Sequence, residues 1–156
     1  MSINEIKIEK VFNECKKHIL RMQSAITKMS SFMPLTSQKY INLSDDEVEH
    51  IDQFLFRFTK LQDTLGEKLF KSILLFVDEQ VENKPFIDIL NRLEKLGLID
   101  STNEFRELRN DRNELAHNYD DEADEMSATI NKLYTKQIIL VEIYKNITMY
   151  YDKQRV

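Results

Sequence analysis

Apolar residues recur alternately four and three positions apart in the first 33 residues of the chain, and this spacing restricts the fold more than any other feature. The series consists of Ile8, Phe12, Cys15, Ile19, Met22, Ile26, Met29 and Met33. Such residues lie on one side of a helix, and a series this long predicts a helix packed almost parallel or antiparallel to a neighbour. We expect Pro34 to end it and PLTSQKYINL to be a connector.

A second long apolar series follows a signal for the start of a helix. Ser44 to Glu47 reads SDDE, in which Ser and Glu three residues apart form a capping box. Its acidic residues also favour the positive end of the helix dipole. The series predicts a helix from about Asp45 to about Glu79, with Gly66 inside it marking a close approach or a slight bend.

The helices that follow are predicted largely from capping residues. Pro85 suits the first turn of a shorter helix and Gly97 its end. Ser101 or Thr102 can cap the next helix. A last apolar series predicts a helix that starts between residues 121 and 127, after the acidic run DDEADE, which we interpret as a solvated helix start.

The composition agrees with a helical domain. The chain has 156 residues, which is the usual size of one domain, and contains only two glycines and two prolines, too few for many tight hairpins or phosphate-binding loops. We therefore predict one all-α domain spanning residues 1–156, an antiparallel bundle of four to five helices. The single cysteine, Cys15, cannot form an internal disulfide and is expected in the core.

The net charge of −5 argues against a protein that coats nucleic acid nonspecifically, but it leaves room for a small basic site. The first residues, MSINEIKIEK, lack the apolar run of a signal peptide. No segment approaches the roughly 20 apolar residues that cross a bilayer. We expect a soluble cytoplasmic protein without membrane contacts.

One charged stretch, RNDRNELAHNY at Arg109 to Tyr119, combines residue types suited to phosphate chemistry. Arg112 and His117 are five residues apart, and the pair alone is a weak signal because it also fits two exposed polar residues. Imidazole, with an unperturbed pKa of about 6.5, moves protons near neutral pH. Arginine can hold a phosphate with two hydrogen bonds and stabilise the charge of a transition state.

The motif and its surroundings resemble a known superfamily. Together with FRFTKLQDTLGEKLF at Phe56 to Phe70, RNELAHNY resembles the HEPN superfamily of small helical proteins, and most closely its HepT-like ribonuclease toxins. These are typically dimers encoded beside a minimal nucleotidyltransferase antitoxin. The resemblance implies a homodimeric, metal-independent endoribonuclease that needs no cofactor and cleaves RNA through its own 2′-hydroxyl.

Four positions match the family motif. The resemblance assigns His117 as general acid or base, Arg112 as the clamp on the phosphate and the transition state, and Asn113 as a polar residue that orients the pair. It also implies that the antitoxin transfers AMP to Tyr119, which would block the site by charge and bulk. For Tyr119 the structural alternative is simple packing at the end of its helix.

The spacing of the motif raises a geometric difficulty. In a regular helix, residues five apart point about 140° away from each other and lie about 7.5 Å apart along the axis. The helix must end or distort between Arg112 and His117, or the arginine must wrap round, or a second copy must complete the site. We favour the second copy. Arg106 and Arg109 lie on the same helix and either bind RNA phosphates or pair with Glu104, Glu107 and Asp111.

The remaining candidates favour structural roles. His18 and His50 are interpreted as surface or boundary residues. The aromatic residues, among them Phe54, Phe56, Phe58, Tyr144, Tyr150 and Tyr151, are expected in the core or at a dimer contact rather than stacked on bases. Two other functions stay open. One is a catalytically silent HEPN subunit that binds nucleotide or substrate for a nucleotidyltransferase, and the other is a plain helical interaction protein.

Overall fold

The computed structural model describes residues 1–77, 79–117 and 122–155, and this part of the chain is helical without any strand. The helices are α1 (Ile3–Met29), α2 (Ser37–Ile41), α3 (Asp45–Thr64), α4 (Phe70–Phe76), α5 (Phe86–Lys95), α6 (Thr102–His117) and α7 (Ala123–Gln154). A π-helical turn at Leu65–Leu69 joins α3 directly to α4. The prediction of an all-α fold is confirmed.

Helix α1 ends earlier than the sequence predicts. It stops at Met29 rather than at Pro34, because Ser30 forms its C-terminal cap and the Ser30 hydroxyl donates to the carbonyl of Thr27 at 2.6 Å. The chain then turns inward and buries Phe32. The predicted connector is also partly wrong, because it contains the short helix α2. Thr36 caps this helix, since its side-chain hydroxyl accepts a hydrogen bond from the backbone N–H of Lys39 at 3.1 Å.

The second helical stretch follows the prediction more closely. Ser44 and Glu47 form the capping box, and the helical path runs from Asp45 through the π-helical turn to Phe76, three residues short of the predicted end. Gly66 lies in that turn, where an added Cβ would meet the ring of Phe105 at 3.6 Å. This distance is an ordinary van der Waals contact, so it does not show a close approach that requires glycine, and what Gly66 marks is a π-helical turn.

Contacts between helices show that neighbours run antiparallel. Tyr151 on α7 donates to Glu9 on α1 at 2.7 Å, while Tyr134 on α7 donates to the carbonyl of Ile26 at 3.4 Å. Residue numbers thus rise along α1 as they fall along α7. The same order holds for α3 and α6, where Asp63 contacts Arg112 and Gly66 approaches Phe105.

The core is apolar and lies between α1, α3, α4, α5, α6 and α7. Its largest fully buried side chains include Phe54, Phe58, Phe70, Phe105, Ile8, Met22, Met29, Leu61 and Leu65. Cys15 is buried as predicted, and burial raises the pKa of its thiol to about 12, so that its nucleophilic thiolate is scarce at neutral pH. No helix in the described ranges is long and apolar enough to span a membrane.

The aromatic and histidine side chains are buried to different degrees. Phe54, Phe58 and Tyr151 are buried as predicted, and His18 is half-buried at the boundary of the core. Phe56 is 51% exposed and lies outside the core, so for this residue the dimer contact stays a prediction. It lies two positions after the buried Phe54, and residues two positions apart on a helix point to different sides.

Candidate functional site

Helix α6, which carries the predicted catalytic motif, is anchored by apolar contacts at its beginning. The backbone N–H of Glu104 donates to the Ser101 hydroxyl at 3.2 Å, so Ser101 caps the helix as predicted. Phe105 and Leu108 are buried, and the Phe105 ring lies 5.1 Å from the ring of Phe70. These contacts fix the direction in which the following charged residues extend.

Beyond Leu108, α6 adds polar contacts to the apolar one that Leu115 makes with the core. Asp111 is buried, and its Oδ1 accepts from the ammonium of Lys132 on α7 at 3.0 Å. This hydrogen bond and the carboxylate charge raise the pKa of Lys132. The other oxygen of Asp111 is buried without a hydrogen-bond partner among the described residues.

Arg112 is held by a carboxylate that the sequence did not identify. Its Nη1 lies 3.2 Å from Oδ1 of Asp63 on α3, and only 22% of the arginine side chain is exposed. Its Nε is buried and has no partner in the described part of the chain. The sole sequence signal for Asp63 was its place in the Phe56 to Phe70 stretch. The ion pair holds the guanidinium at one place on the surface of α3.

The structure describes the other predicted catalytic and modification residues only in part. Asn113 is exposed next to Arg112. Helix α6 is helical through His117, so it does not end between Arg112 and His117, and one of the three solutions to the spacing problem is excluded. The His117 side chain and all of Tyr119 lie outside the described residues.

The two upstream arginines do not form the predicted ion pairs. Arg106 and Arg109 are exposed, and neither makes an ion pair with a described residue. Asp111, one of their expected partners, pairs with Lys132 instead. The Arg109 guanidinium lies 4.7 Å from the centre of the Phe86 ring, a cation–π contact with α5.

A cavity of about 300 Å³ lies beside the Arg112–Asp63 pair. Its lining residues are Gln62, Asp63, Gly66, Glu67, Lys71, Lys84, Phe86, Ile89 and Arg109. The volume is at the lower end of the range for small-molecule sites. Three cationic and two acidic side chains line it, so the cavity favours an anionic ligand more than the acidic protein as a whole does.

Gln62 in the cavity wall is unusual because it is a buried polar residue without a partner. It is 1% exposed, and neither its amide nitrogen nor its amide oxygen has a hydrogen-bond partner among the described residues. A buried amide in this state costs about 1–3 kcal/mol. No sequence pattern singles out Gln62, since it lies between apolar seam positions and looks like an ordinary solvated residue.

The described part of the chain contains no group of three or more His, Cys, Asp or Glu side chains placed to hold a metal ion. In comparisons with known proteins, no family model matches the sequence, and no curated protein or solved structure matches it. The HEPN assignment therefore stays a prediction from the residues of the motif.

Proposed function

We propose that the protein is a metal-independent endoribonuclease toxin of a HEPN and nucleotidyltransferase toxin–antitoxin pair. The observation that carries the proposal is the place of Arg112, half-buried against Asp63 beside a cavity lined by Lys71, Lys84 and Arg109. A fixed guanidinium with further cations nearby suits the binding of an RNA phosphate. The motif supplies His117 one and a half turns further along the helix.

In the proposed reaction the 2′-hydroxyl of the RNA attacks the adjacent phosphate. His117 takes the proton of the 2′-hydroxyl or gives one to the leaving 5′-oxygen, and Asn113 orients the reacting groups. Arg112 donates to the phosphate oxygens that gain charge in the transition state. The products carry a 2′,3′-cyclic phosphate and a 5′-hydroxyl.

The free protein already holds Arg112 in an ion pair, and this bears on substrate binding. An incoming phosphate must share or replace the Asp63 carboxylate, which lies 3.2 Å from the guanidinium. The exchange is feasible because the Asp63 side chain is partly exposed and the pair is not sealed in the core. Asp63 thus keeps the arginine ordered until RNA arrives.

A second copy of the chain completes the proposed site. Because α6 is helical through His117, positions 112 and 117 lie about 140° apart around the axis of one helix. Two copies related by a twofold axis can present the arginine of one subunit with the histidine of the other. In the proposed regulation the partner nucleotidyltransferase adds AMP to Tyr119, and the added phosphate competes for Arg112.

The test is cleavage of a structured RNA in EDTA by the wild type, Arg112→Ala and His117→Ala. We expect the cleavage rate of both variants to fall at least about 100-fold, since a general acid or base and a donor that stabilises transition-state charge each contribute at least that factor. Matched controls are Arg92→Ala, which truncates another ion-paired arginine, and His50→Ala. Circular dichroism and sedimentation must show that every variant is folded and keeps its assembly.

Two results would refute the proposal. Equal cleavage by all five proteins would place the activity elsewhere, and no cleavage by a wild type that mass spectrometry shows to be free of AMP would remove the enzyme assignment.

A second function is favoured by one observation. The cavity with its unpartnered Gln62 amide and its three cations also suits a silent subunit that binds nucleotide for a nucleotidyltransferase. That protein would bind AMP without cleaving RNA, and Lys84→Ala would weaken the binding. Titration calorimetry with AMP separates the two functions. An RNase without affinity for nucleotide would release no heat of binding, either as the wild type or as Lys84→Ala.

A further inference from the structure

Helices α1 and α3 share a cationic surface that the proposed catalytic motif does not use. We call it the α1–α3 surface, and it consists of Lys17, His18, Arg21, Phe56, Arg57 and Lys60. Its members belong together because Lys17, Arg57 and Lys60 all act electrostatically on His18 and lower its pKa, together with the larger effect of burial. Arg21 lies one turn from Lys17 on the same side of α1.

The cations of the α1–α3 surface are not compensated by acids. In the part of the chain that the structure describes, Lys17, Arg21, Arg57 and Lys60 make no ion pair. The nearest acid acting on His18 is Glu14, and its carboxylate is bound by Lys68 at 3.1 Å. A group of unpaired cations on a protein of net charge −5 creates a local positive field.

A histidine takes the place where a carboxylate would normally hold Arg57. Nη1 of Arg57 lies 3.0 Å from Nδ1 of His18. Guanidinium only donates, so Nδ1 must accept, and the imidazole is neutral in this contact. His18 therefore orients Arg57 without cancelling its charge, and the charge stays available for an anion.

Phe56 adds an aromatic face to the same surface. Its side chain is 51% exposed, with the Arg57 guanidinium 5.3 Å and the Lys60 ammonium 5.6 Å from the ring centre. Proteins that bind single-stranded nucleic acid combine cations for the phosphates with aromatic rings on which bases stack. Phe56 and its two cations have this combination within one turn of α3.

The α1–α3 surface leads along α3 to the candidate catalytic arginine. Phe56, Lys60 and Asp63 are four and three residues apart, so they lie on one side of the helix. Asp63 is the residue that pairs with Arg112, about 10 Å along the axis from Phe56. A strand bound at Phe56 would therefore extend toward Arg112 over a distance of a few nucleotides.

We propose that the α1–α3 surface binds single-stranded RNA, with phosphates on Arg57, Lys60 and Lys17 and a base stacked on Phe56, and delivers it to Arg112. The choice of RNA over another polyanion rests on the proposed ribonuclease function. Binding is separable from cleavage, since an RNA without free 2′-hydroxyls can occupy the surface but cannot be cut.

The experiment measures the affinity of the full chain for a fluorescent 12-nucleotide oligouridine with 2′-O-methyl groups throughout, by anisotropy at several salt concentrations. The test variants are Phe56→Ala and the double variant Arg57→Gln/Lys60→Gln, which removes two cations and keeps polar side chains. The matched controls are Ile138→Ala, another exposed apolar residue, and Lys145→Gln, both on α7.

We expect Phe56→Ala to weaken binding by about 5- to 150-fold, the usual effect of losing one stacked base. Removing two cations should lower the slope of log affinity against log salt by about 1.4. The α7 controls should bind like the wild type. Thermal unfolding confirms that each variant is folded, and the change in salt slope separates lost phosphate contacts from a general loss of structure.

Three outcomes would overturn the inference. Wild-type affinity in both test variants would remove the surface from RNA binding, and equal losses in the α7 controls would show nonspecific attraction. Binding to phosphatidylserine vesicles without binding to the oligonucleotide would identify a lipid surface instead. Oligonucleotide binding through this surface by a protein that never cleaves RNA would keep the inference and refute the ribonuclease proposal.

Discussion

Helix α1 packs along α3, whereas α6 packs mainly against α7 and reaches α3 through the Arg112–Asp63 ion pair. The two helices are held by different kinds of contact. Along α1 a continuous apolar seam is buried, from Ile8 through Met22 to Met29. Along the described part of α6, Phe105 and Leu108 are the fully buried apolar side chains and Leu115 is partly buried, while Arg112 and Asp111 make charged pairs. Apolar burial is strong and non-directional, whereas ion pairs contribute less but fix where a charge lies. Helix α6 is therefore less strongly held and more precisely positioned.

The largest effect should come from the apolar anchor of α6. Phe105→Ala removes the ring that packs against Phe70 and Phe86, and we expect the free energy of unfolding to fall by about 3–5 kcal/mol. Urea denaturation measures it. A loss below about 1 kcal/mol would mean that α6 does not depend on this anchor and that the comparison with α1 is wrong.

The ion pair between the buried Asp111 carboxylate and the exposed Lys132 ammonium should matter less. Lys132→Met leaves the buried Asp111 carboxylate without its hydrogen bond, at an expected cost of about 1–3 kcal/mol. Lys145→Met, on the same helix and without an ion pair to any described residue, should change stability by less than about 0.5 kcal/mol. Similar values for the two variants would show that Asp111 finds another partner and does not hold α6.

A third variant should stabilise the protein. Gln62→Met replaces an unpartnered buried amide by an apolar side chain of similar length, and the unfolding free energy should rise by about 1 kcal/mol. Gln53→Met, at a half-buried position of the same helix, is the control. Destabilisation at position 62 alone would indicate that the amide is bonded in solution, for example to water.

The smallest effect concerns pH and the contact of α1 with α3. Burial, followed by Arg57, Lys60 and Lys17, lowers the pKa of His18 in the folded state, against an opposing effect of Glu14. Below the unfolded value of about 6.5 the unfolded chain binds the proton more readily, so His18 reduces stability as pH falls toward its folded pKa.

His18→Gln should therefore lose less stability than the wild type between pH 7.5 and pH 5.5, as thermal unfolding at the two pH values would show. The control His50→Gln should follow the wild type. A greater loss in His18→Gln would mean that the protonated imidazole is favoured in the fold, opposite to the contact seen with Arg57.

The features predictable from the sequence are those set by local chemistry. The α1 seam, the Ser44 capping box and the Gly97 helix end follow from residue spacing and caps, and the structure contains them. The early end of α1 was missed because the burial of Phe32 after the helix depends on distant residues. Asp63 and Gln62 were missed for the same reason, since the partner of Asp63 lies 49 residues away on α6 and the burial of Gln62 is set by tertiary packing.

The most direct test of the central claim is the chemistry of the ends left by cleavage. RNA cut in EDTA by the wild type should carry 2′,3′-cyclic phosphate and 5′-hydroxyl ends, and the same sequence with 2′-O-methyl groups should stay intact. Mass spectrometry identifies the end groups of the products and shows whether the methylated RNA is intact. Products with 5′-phosphate ends, or cleavage of the methylated RNA, would contradict attack by the 2′-hydroxyl and with it the roles given to Arg112 and His117.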